Sequence, residues 1–397
     1  MGKINTDKQK IETLLTRGVE EVIVKEDLEK ALFSGKQLRV KLGIDPTAPD
    51  LHLGHAIQLR KLQQFQKLGH TAVLIIGDFT ARIGDPSERS QERKLITEKE
   101  VKGNMKKYLK VAGKILDIDA LEVVYNSKWF AKEGLKEIIA LAGAGSIQQV
   151  LHRADFKKRI EQGGDITLLE LLYPLFQGYD SVKVKADVEI GGTDQLFNLL
   201  MGRRVQRHFK LIEQNILTTT LLVGLDGEKK MSKSLNNYIA LDEKPGVMFG
   251  KVMSLGDELL KKYFLLCTEM HEREIETALN QGPRDAKLLL ARALVSMYHT
   301  EPAAKKAHDE FISMFSDKKK PKEIQSIHLP LKSYSLVELL IAVNFAESKS
   351  EARRLIEQGG VRINDEKKNE VSEIISLEKE VLIQVGPRRF VRVRSKN

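Results

Sequence analysis

Residues 38–68 read LRVKLGIDPTAPDLHLGHAIQLRKLQQFQKL. The run 38–45 is short and largely apolar and reads as a buried strand; Pro46, Thr47 and Pro49 then turn the chain, and 52–68 carries helical periodicity. A second apolar run at 72–77 reads as the next strand. Strand, turn, helix, strand is the opening unit of a doubly wound parallel sheet, whose ligand crevice lies beyond the carboxyl ends of the strands. The turn at 45–55 is therefore expected to line a site.

Working outward, residues 96–185 are mostly helical in period around a strand at 122–125, as expected of an insertion between the two halves of the sheet. The stretch 187–190, a helix from Asp194 to about His208, and the run 217–223 read as the second half. After Ala240 the period is helical to about Phe315, broken at Gly282-Pro283. The expected architecture is α/β: a doubly wound, Rossmann-like domain over 1–245, an all-helical domain over 246–316, a lysine-rich linker over 317–333, and a small α+β domain over 334–397. The last opens with two capping boxes, Ser335 to Glu338 and Ser348 to Glu351, and continues into strands at 361–364, 381–385 and 390–393.

Composition narrows the function. The chain of 397 residues is 42% hydrophobic and 30% charged, with no apolar run near the roughly 20 residues of a membrane helix, so no membrane association is expected. Cys267 is the only cysteine, which rules out an intrachain disulfide and a multi-cysteine zinc site; it reads as a core residue. The remaining histidines, such as His152 and His299, occur singly, so no metal is assigned. The first twelve residues, MGKINTDKQKIE, hold no apolar signal core, and a cytoplasmic address is expected. The formal charge is +10, and residues 318–397 carry 17 Lys and Arg against 11 acids, so six of those charges sit in the last fifth of the chain. That asymmetry suits a polyanion such as RNA. Arg353 and Arg354 on a helix, and Arg388, Arg389, Arg392 and Arg394 on the final strands, are its candidate phosphate contacts.

Two segments carry chemistry. In Asp45-Pro-Thr-Ala-Pro-Asp-Leu-His52-Leu-Gly54-His55, two imidazoles stand at a helix N-terminus beside a glycine that admits a close ligand, a setting suited to the phosphates and adenine of ATP. In Lys230-Met231-Ser232-Lys233-Ser234, two ammonium groups three residues apart lie on a loop flanked by Gly224 and Gly227, able to neutralise charge on a pyrophosphate leaving group. A third element, 171–181 (LLYPLFQGYDS), spaces Tyr173, Gln177 and Asp180 at i, i+4 and i+7 on one helix face, where they can converge on one small ligand.

The HLGH and KMSKS motifs resemble those of class I aminoacyl-tRNA synthetases, and the likeness is closest to the bacterial tyrosyl branch. Its narrower basis is GDPS at 84–87, the LLYPLFQGYDS face, and Gly191-Gly192-Thr193-Asp194-Gln195. The C-terminal domain resembles a small RNA-binding module shared with a ribosomal protein. The resemblance implies a ligase that joins tyrosine to tRNA(Tyr) through an adenylate, using ATP as substrate with Mg2+, and working as a homodimer through the inserted helices around 130–170. The helical domain would lie on the anticodon side.

The resemblance also implies roles. Tyr173, Gln177 and Asp85 would hold the substrate's α-ammonium and Asp180 the phenol hydroxyl, with Gln195 near the carboxylate and Lys41, Asp78, Thr80 and Asn126 completing the tyrosine pocket. Gly43, Asp45, Gly54, His55, Gly192, Asp194, Val223 and Met231 would face ATP, with Thr47 and His52 at the γ-phosphate. Lys230 and Lys233 would be mobile-loop cations, joined by Arg89 and Arg93. Lys41 stands where a tyrosine is common and Asp78 where a glycine is common, and the two are expected to pair at the pocket floor. Glu88 likewise replaces a common glycine. The competing readings are a tryptophanyl enzyme, a small-molecule nucleotidylyltransferase, and an RNA-binding protein on a dead ligase scaffold. The first two do not need the C-terminal domain, and the third does not need the intact histidines and lysines.

Overall fold

The apolar runs of the opening segment form β2 (Arg39–Ile44) and β3 (Thr71–Ile76), preceded by an unexpected β1 (Val19–Ile23) and followed by β4 (Leu121–Tyr125), β5 (Val188–Gly192) and β6 (Asn215–Thr219). The computed structural model describes residues 4–47, 49–86, 96–316, 324, 326–330, 333–346, 348–378, 380–386 and 389–396. Two compact units divide the chain, Met1–Ala304 and Lys305–Asn397.

In the first unit the strands lie in the order β1-β6-β5-β2-β3-β4, all neighbours parallel except β1 against β6. The chain leaves β2 in one direction across β3 and β4, and leaves β5 in the other to β6, so the order reverses between β2 and β5. Such a reversal opens a crevice at the carboxyl ends of those two strands. β4, expected inside the insertion, extends the sheet itself, and the inserted helices run between it and β5. Val40, Leu42, Val73 to Ile76, Val188 and Ile190 are buried, as strands covered on both faces demand.

The helix Leu53–Lys67 crosses one face with Leu53, Ala56, Ile57, Leu59, Leu62 and Phe65 inward, the three- and four-residue spacing of an amphipathic stripe. On the other side the helix Leu168–Val184 opens with a Thr167/Glu170 capping box and buries Tyr173, Phe176, Tyr179 and Asp180. Past residue 240 the first unit is helical. Gly282, at φ 100°, takes a conformation that only glycine adopts freely, and Pro283 starts the helix Pro283–Tyr298. Cys267 is buried, and burial pushes its thiol up to about 12.

The second unit has the helices Leu336–Ala342 and Lys349–Glu357, N-capped by Ser335 and Ser348. Its strands are β7 (Ser326–Pro330), β8 (Ser333–Ser335), β9 (Val361–Ile363), β10 (Glu366–Lys368), β11 (Ile374–Ser376), β12 (Val381–Val385) and β13 (Arg389–Lys396). Five of them form a sheet in the order β10-β9-β12-β13-β7, and β11 pairs with β8. Its core joins Leu336, Leu339, Leu340, Ile356, Val361, Ile383 and Val393. β7 falls inside the stretch read as a linker and pairs in parallel with β13.

Arg17 stitches the N-terminal segment to the helical part of the first unit. Its guanidinium donates to the carbonyls of Leu265 (3.0 Å), Met270 (2.7 Å), Phe264 (3.4 Å) and Thr268 (2.9 Å), while Arg60 donates to Leu266 and Thr268. These carbonyls end the helix Leu260–Cys267, where cations are favoured. Arg17→Ala is expected to cost about 1–3 kcal/mol, measured by denaturant unfolding. A loss within error of zero would show that the clamp contributes nothing.

Candidate active site

The crevice between β2 and β5 holds a cavity of about 430 Å³ lined by Gly43 and Asp45 from β2 and its turn, Gly77 beyond β3, Gly191 from β5, and Thr219 and Thr220 at the end of β6. The size suits a small-molecule site. Its rim brings together both sequence motifs. Thr47, His52, Gly54 and His55 come from one side, Lys230, Met231 and Lys233 from the other, and Asp85, Thr80, Tyr173, Gln177, Asp180, Asp194 and Gln195 complete the walls.

Main chain joins the histidine motif to the segment that follows the lysine loop. Leu53 N donates to Ile239 O (3.0 Å) and Leu241 N to Leu51 O (2.8 Å), so residues 51–53 and 239–241 form a short antiparallel pairing. The lysine loop folds back on itself, with Met231 N donating to Leu222 O (2.7 Å) and Gly224 N to Lys229 O (2.8 Å). Asn237, buried beneath it, accepts from Ser232 N and donates to Asp226 and the Lys230 carbonyl.

His52 caps the histidine helix. Its Nδ1 accepts from Gly54 N (3.2 Å), and the His55 Nδ1 accepts from His52 N (3.2 Å). Because both Nδ1 atoms accept, each neutral ring carries its proton on Nε2. Burial first, then the charges of Lys233 and Lys230, pushes His52 down to about 3. His55 lies well below its usual value, through burial, then His52 and the two lysines. Both are therefore neutral Nε2–H donors at pH 7. A Cβ on Gly54 would stand 3.0 Å from the His52 ring, tighter than ordinary contact, so the glycine gives that imidazole its seat.

Each loop lysine rests on a protein partner. Lys230 Nζ pairs with Asp194 Oδ2 at 2.7 Å. Lys233 Nζ donates to Tyr108 Oη at 3.1 Å and sits 5.5 Å from the centre of that ring. Tyr108 and Gln58 also line the cavity, and neither is singled out by the sequence reading.

Carboxylates organise the deeper end. Asp45 accepts from Thr80 Oγ1 (2.7 Å) and Tyr173 Oη (2.8 Å), so this residue, expected at ATP, spends both oxygens on side chains of the expected tyrosine pocket. A Cβ on Gly77 would overlap Asp45 and Thr80, so only glycine permits that contact. Asp85 accepts from Gln195 Nε2 (2.6 Å). Asp180, 4% exposed, accepts from Trp129 Nε1 (3.0 Å) and Asn126 Nδ2 (3.3 Å). Burial pushes Asp180 up to about 7 against the lowering effects of Lys41 and these two donors. Asn126 reaches the site only through Asp180, Thr80 and Phe79 N.

Several expected contacts lie elsewhere. Lys41 does not pair with Asp78: Lys41 sits mid-strand opposite Val73 and Glu189, and its Nζ meets Glu189 Oε1 at 2.8 Å. Asp78 lies beyond the end of β3 and accepts from Ser127 N (2.9 Å) and Ser127 Oγ (2.5 Å). Neither lines the cavity, nor do Gly192 and Val223, whose carbonyl accepts from Tyr263 Oη (2.6 Å). A Cβ on Gly192 would stand 2.5 Å from Asp194 Oδ1, so that glycine still shapes the Asp194 site. Arg89 and Arg93, with Glu88, and Arg388 fall outside the described residues. In the second unit Arg353 and Arg354 are exposed, and Arg389 donates to Phe345 O (2.7 Å). Arg392 and Arg394 pair with Glu380, at 2.8 and 2.5 Å.

Residues 34–316 match the family described as tRNA synthetases class I (W and Y), the class that this sheet and these two motifs define. Residues 317–385 match the tyrosine–tRNA ligase SYY-like C-terminal domain. The chain belongs to the tyrosine–tRNA ligase family: the proteins of that name from Thermotoga maritima and Coxiella burnetii are 44% and 45% identical to it, each alignment covering 96% of this chain and 96% or 97% of theirs. Among solved structures, the C-terminally truncated mitochondrial tyrosyl-tRNA synthetase of Aspergillus nidulans superposes with a TM-score of 0.66 at 24% identity, over 78% of this chain and 95% of that one. The Archaeoglobus fulgidus tyrosyl-tRNA synthetase complexed with L-tyrosine gives 0.60 at 21%, over 76% and 99%. These two show the fold.

A carboxyl whose folded pKa is raised binds its proton more tightly folded than unfolded, so stability falls as pH rises from the unfolded value to the folded one. For Asp180 that window runs from its ordinary value of 3.8 to about 7. Asp180→Asn is therefore expected to flatten the decline in thermal midpoint between those limits. Parallel profiles for the two proteins would contradict the shift.

Proposed function

We propose that the chain activates tyrosine with ATP, forming tyrosyl-adenylate and pyrophosphate, and then transfers tyrosine to the 3′-terminal adenosine of tRNA(Tyr). The observation that carries this is one cavity in which two neutral histidines, two lysines and the Tyr173-Gln177-Asp180 face converge. A phenol ring reaching Asp180 brings a hydroxyl donor to a carboxylate that is otherwise costly to bury. Tyr173, whose hydroxyl donates to Asp45, is assigned with Asp85 to the end of the pocket that takes the substrate's ammonium. Asp194 suits the ribose of ATP, close to the glycines at the end of β5.

No nucleophile has to be generated, because the amino-acid carboxylate is ionised at pH 7 and attacks the α-phosphorus as the bond to pyrophosphate breaks. The protein then supplies position and charge. Lys230 and Lys233, with the Nε2–H donors of His52 and His55, stand where negative charge grows on the leaving pyrophosphate, and Thr47 lies at the same end. ATP enters as its magnesium complex, the metal being part of the substrate; among the described residues no cluster of three His, Cys, Asp or Glu is placed to hold an ion. Arg89 and Arg93 are assigned as further loop cations on the family pattern.

The tRNA is assigned to the helical part of the first unit and to the basic second unit, through Arg353, Arg354, Arg388 and Arg389. The working form is a homodimer joined through the inserted helices, where Leu135 (72% exposed), Ile139 (63%), Ile147 (64%) and Leu168 (78%) present apolar surface. The cytoplasm is the site of action; among the described residues no helix is long and apolar enough to cross a membrane.

Exchange of labelled pyrophosphate into ATP is expected with tyrosine and not with tryptophan or phenylalanine. Lys233→Ala should slow it about 10²–10³-fold, as the loss of one preorganised charge does at such sites. No exchange with any of the three, in folded protein with magnesium, would overturn the proposal. Light scattering should give twice the monomer mass for the wild type and the monomer mass for Leu168→Asp; monomeric wild type would refute the dimer.

A further inference from the structure

We infer that Lys41 and Glu189 form a buried positioning pair that orients the Gln177 amide toward the α-ammonium of the substrate, with Lys41 itself making no substrate contact. The inference rests on the proposed tyrosine site.

Lys41 and Glu189 are register partners on the central strands β2 and β5, 0% and 1% exposed. The ammonium has three N–H donors and three partners: Glu189 Oε1 at 2.8 Å, Ser181 Oγ at 2.7 Å, and the Gln177 main-chain carbonyl at 3.1 Å. No donor remains for a ligand, and Lys41 does not line the cavity. Glu189 is filled in the same way. Its Oε1 takes Lys41 and Gln177 Nε2 (3.4 Å), and its Oε2 takes Ser181 Oγ (3.1 Å) and Gln214 Nε2.

The pair therefore holds Gln177 twice, by its carbonyl and by its side chain. A carboxylate only accepts, so the amide must turn its NH₂ toward Glu189 and leave Oε1 as the end offered to the cavity. A cation binds an acceptor, so the orientation selects for an ammonium. Charge explains why both members are present: either one alone would be a buried, uncompensated ion. Lys41 also holds down the pKa of Asp180, which burial raises, so the one cation supports both ends of the amino-acid pocket.

The test compares tyrosine-dependent pyrophosphate exchange and thermal midpoint for the wild type, Lys41→Met, Glu189→Gln, the double variant and Ser181→Ala. Each charge-removing single variant should lose stability, and the double variant should regain it. In the refolded double variant the KM for tyrosine should rise about tenfold, the effect of losing one hydrogen bond to a charged group, while the KM for ATP holds. A stable double variant with wild-type KM for tyrosine would make the pair merely structural and overturn the inference. If the double variant does not fold, Ser181→Ala decides: a raised KM for tyrosine at unchanged KM for ATP supports the pair, and an unchanged one refutes it. Wild-type protein lacking exchange with tyrosine would instead refute the ligase proposal, and this inference with it.

Discussion

Two carboxylates, Asp180 and Glu189, are buried beneath one cavity, with a third, Asp45, half-buried at its edge. Burying a charge is expensive unless donors or an opposite charge compensate it, and that requirement arranges most of the surrounding structure. Lys41, Ser181 and Gln214 answer Glu189, Trp129 and Asn126 answer Asp180, and Thr80 and Tyr173 answer Asp45. The donors come from β2, from the loop after β3, from the inserted segment, from the Leu168–Val184 helix and from the turn before β6. The carboxylates thus tie both halves of the sheet to one floor.

The second constraint acts at the mouth. Pairing between residues 51–53 and 239–241 ties the segment that follows the lysine loop to the start of the histidine helix through main-chain hydrogen bonds. Within that frame Lys230 and Lys233 rest on Asp194 and Tyr108, side chains that line the same cavity.

Much of this was legible in the sequence. The opening strand, turn and helix are contiguous, their periods are strong, and each motif keeps its polar groups within a few residues, so the crevice with its histidine side and its lysine side follows from local pattern. The short strands β1, β7, β8, β10 and β11 leave little trace in the sequence because three to five residues, many of them polar, carry little periodicity, and β7 lies in the lysine-rich stretch expected to be a linker. The Lys41–Glu189 pair is likewise invisible to local pattern, which offers Asp78 as a partner for Lys41. A lysine in VKLG and a glutamate in VEIG each break an apolar strand, and opposite charges so placed call for one another. Spacing along the chain cannot show that β2 and β5 are neighbours; the parallel register does. Trp129 and Ser181 are similar cases, polar side chains whose buried carboxylate partners only the fold brings near.

The central claim is that Asp180, raised toward neutrality by burial, receives the phenol hydroxyl of the substrate. It is tested most directly by calorimetric binding of tyrosine and phenylalanine to the wild-type protein between pH 6 and 8, with the neutral histidines titrating outside this window. Tyrosine affinity should strengthen as pH rises through about 7 and Asp180 ionises, while phenylalanine binds weakly throughout. Equal affinities for the two amino acids, or a tyrosine affinity flat across that range, would contradict the account.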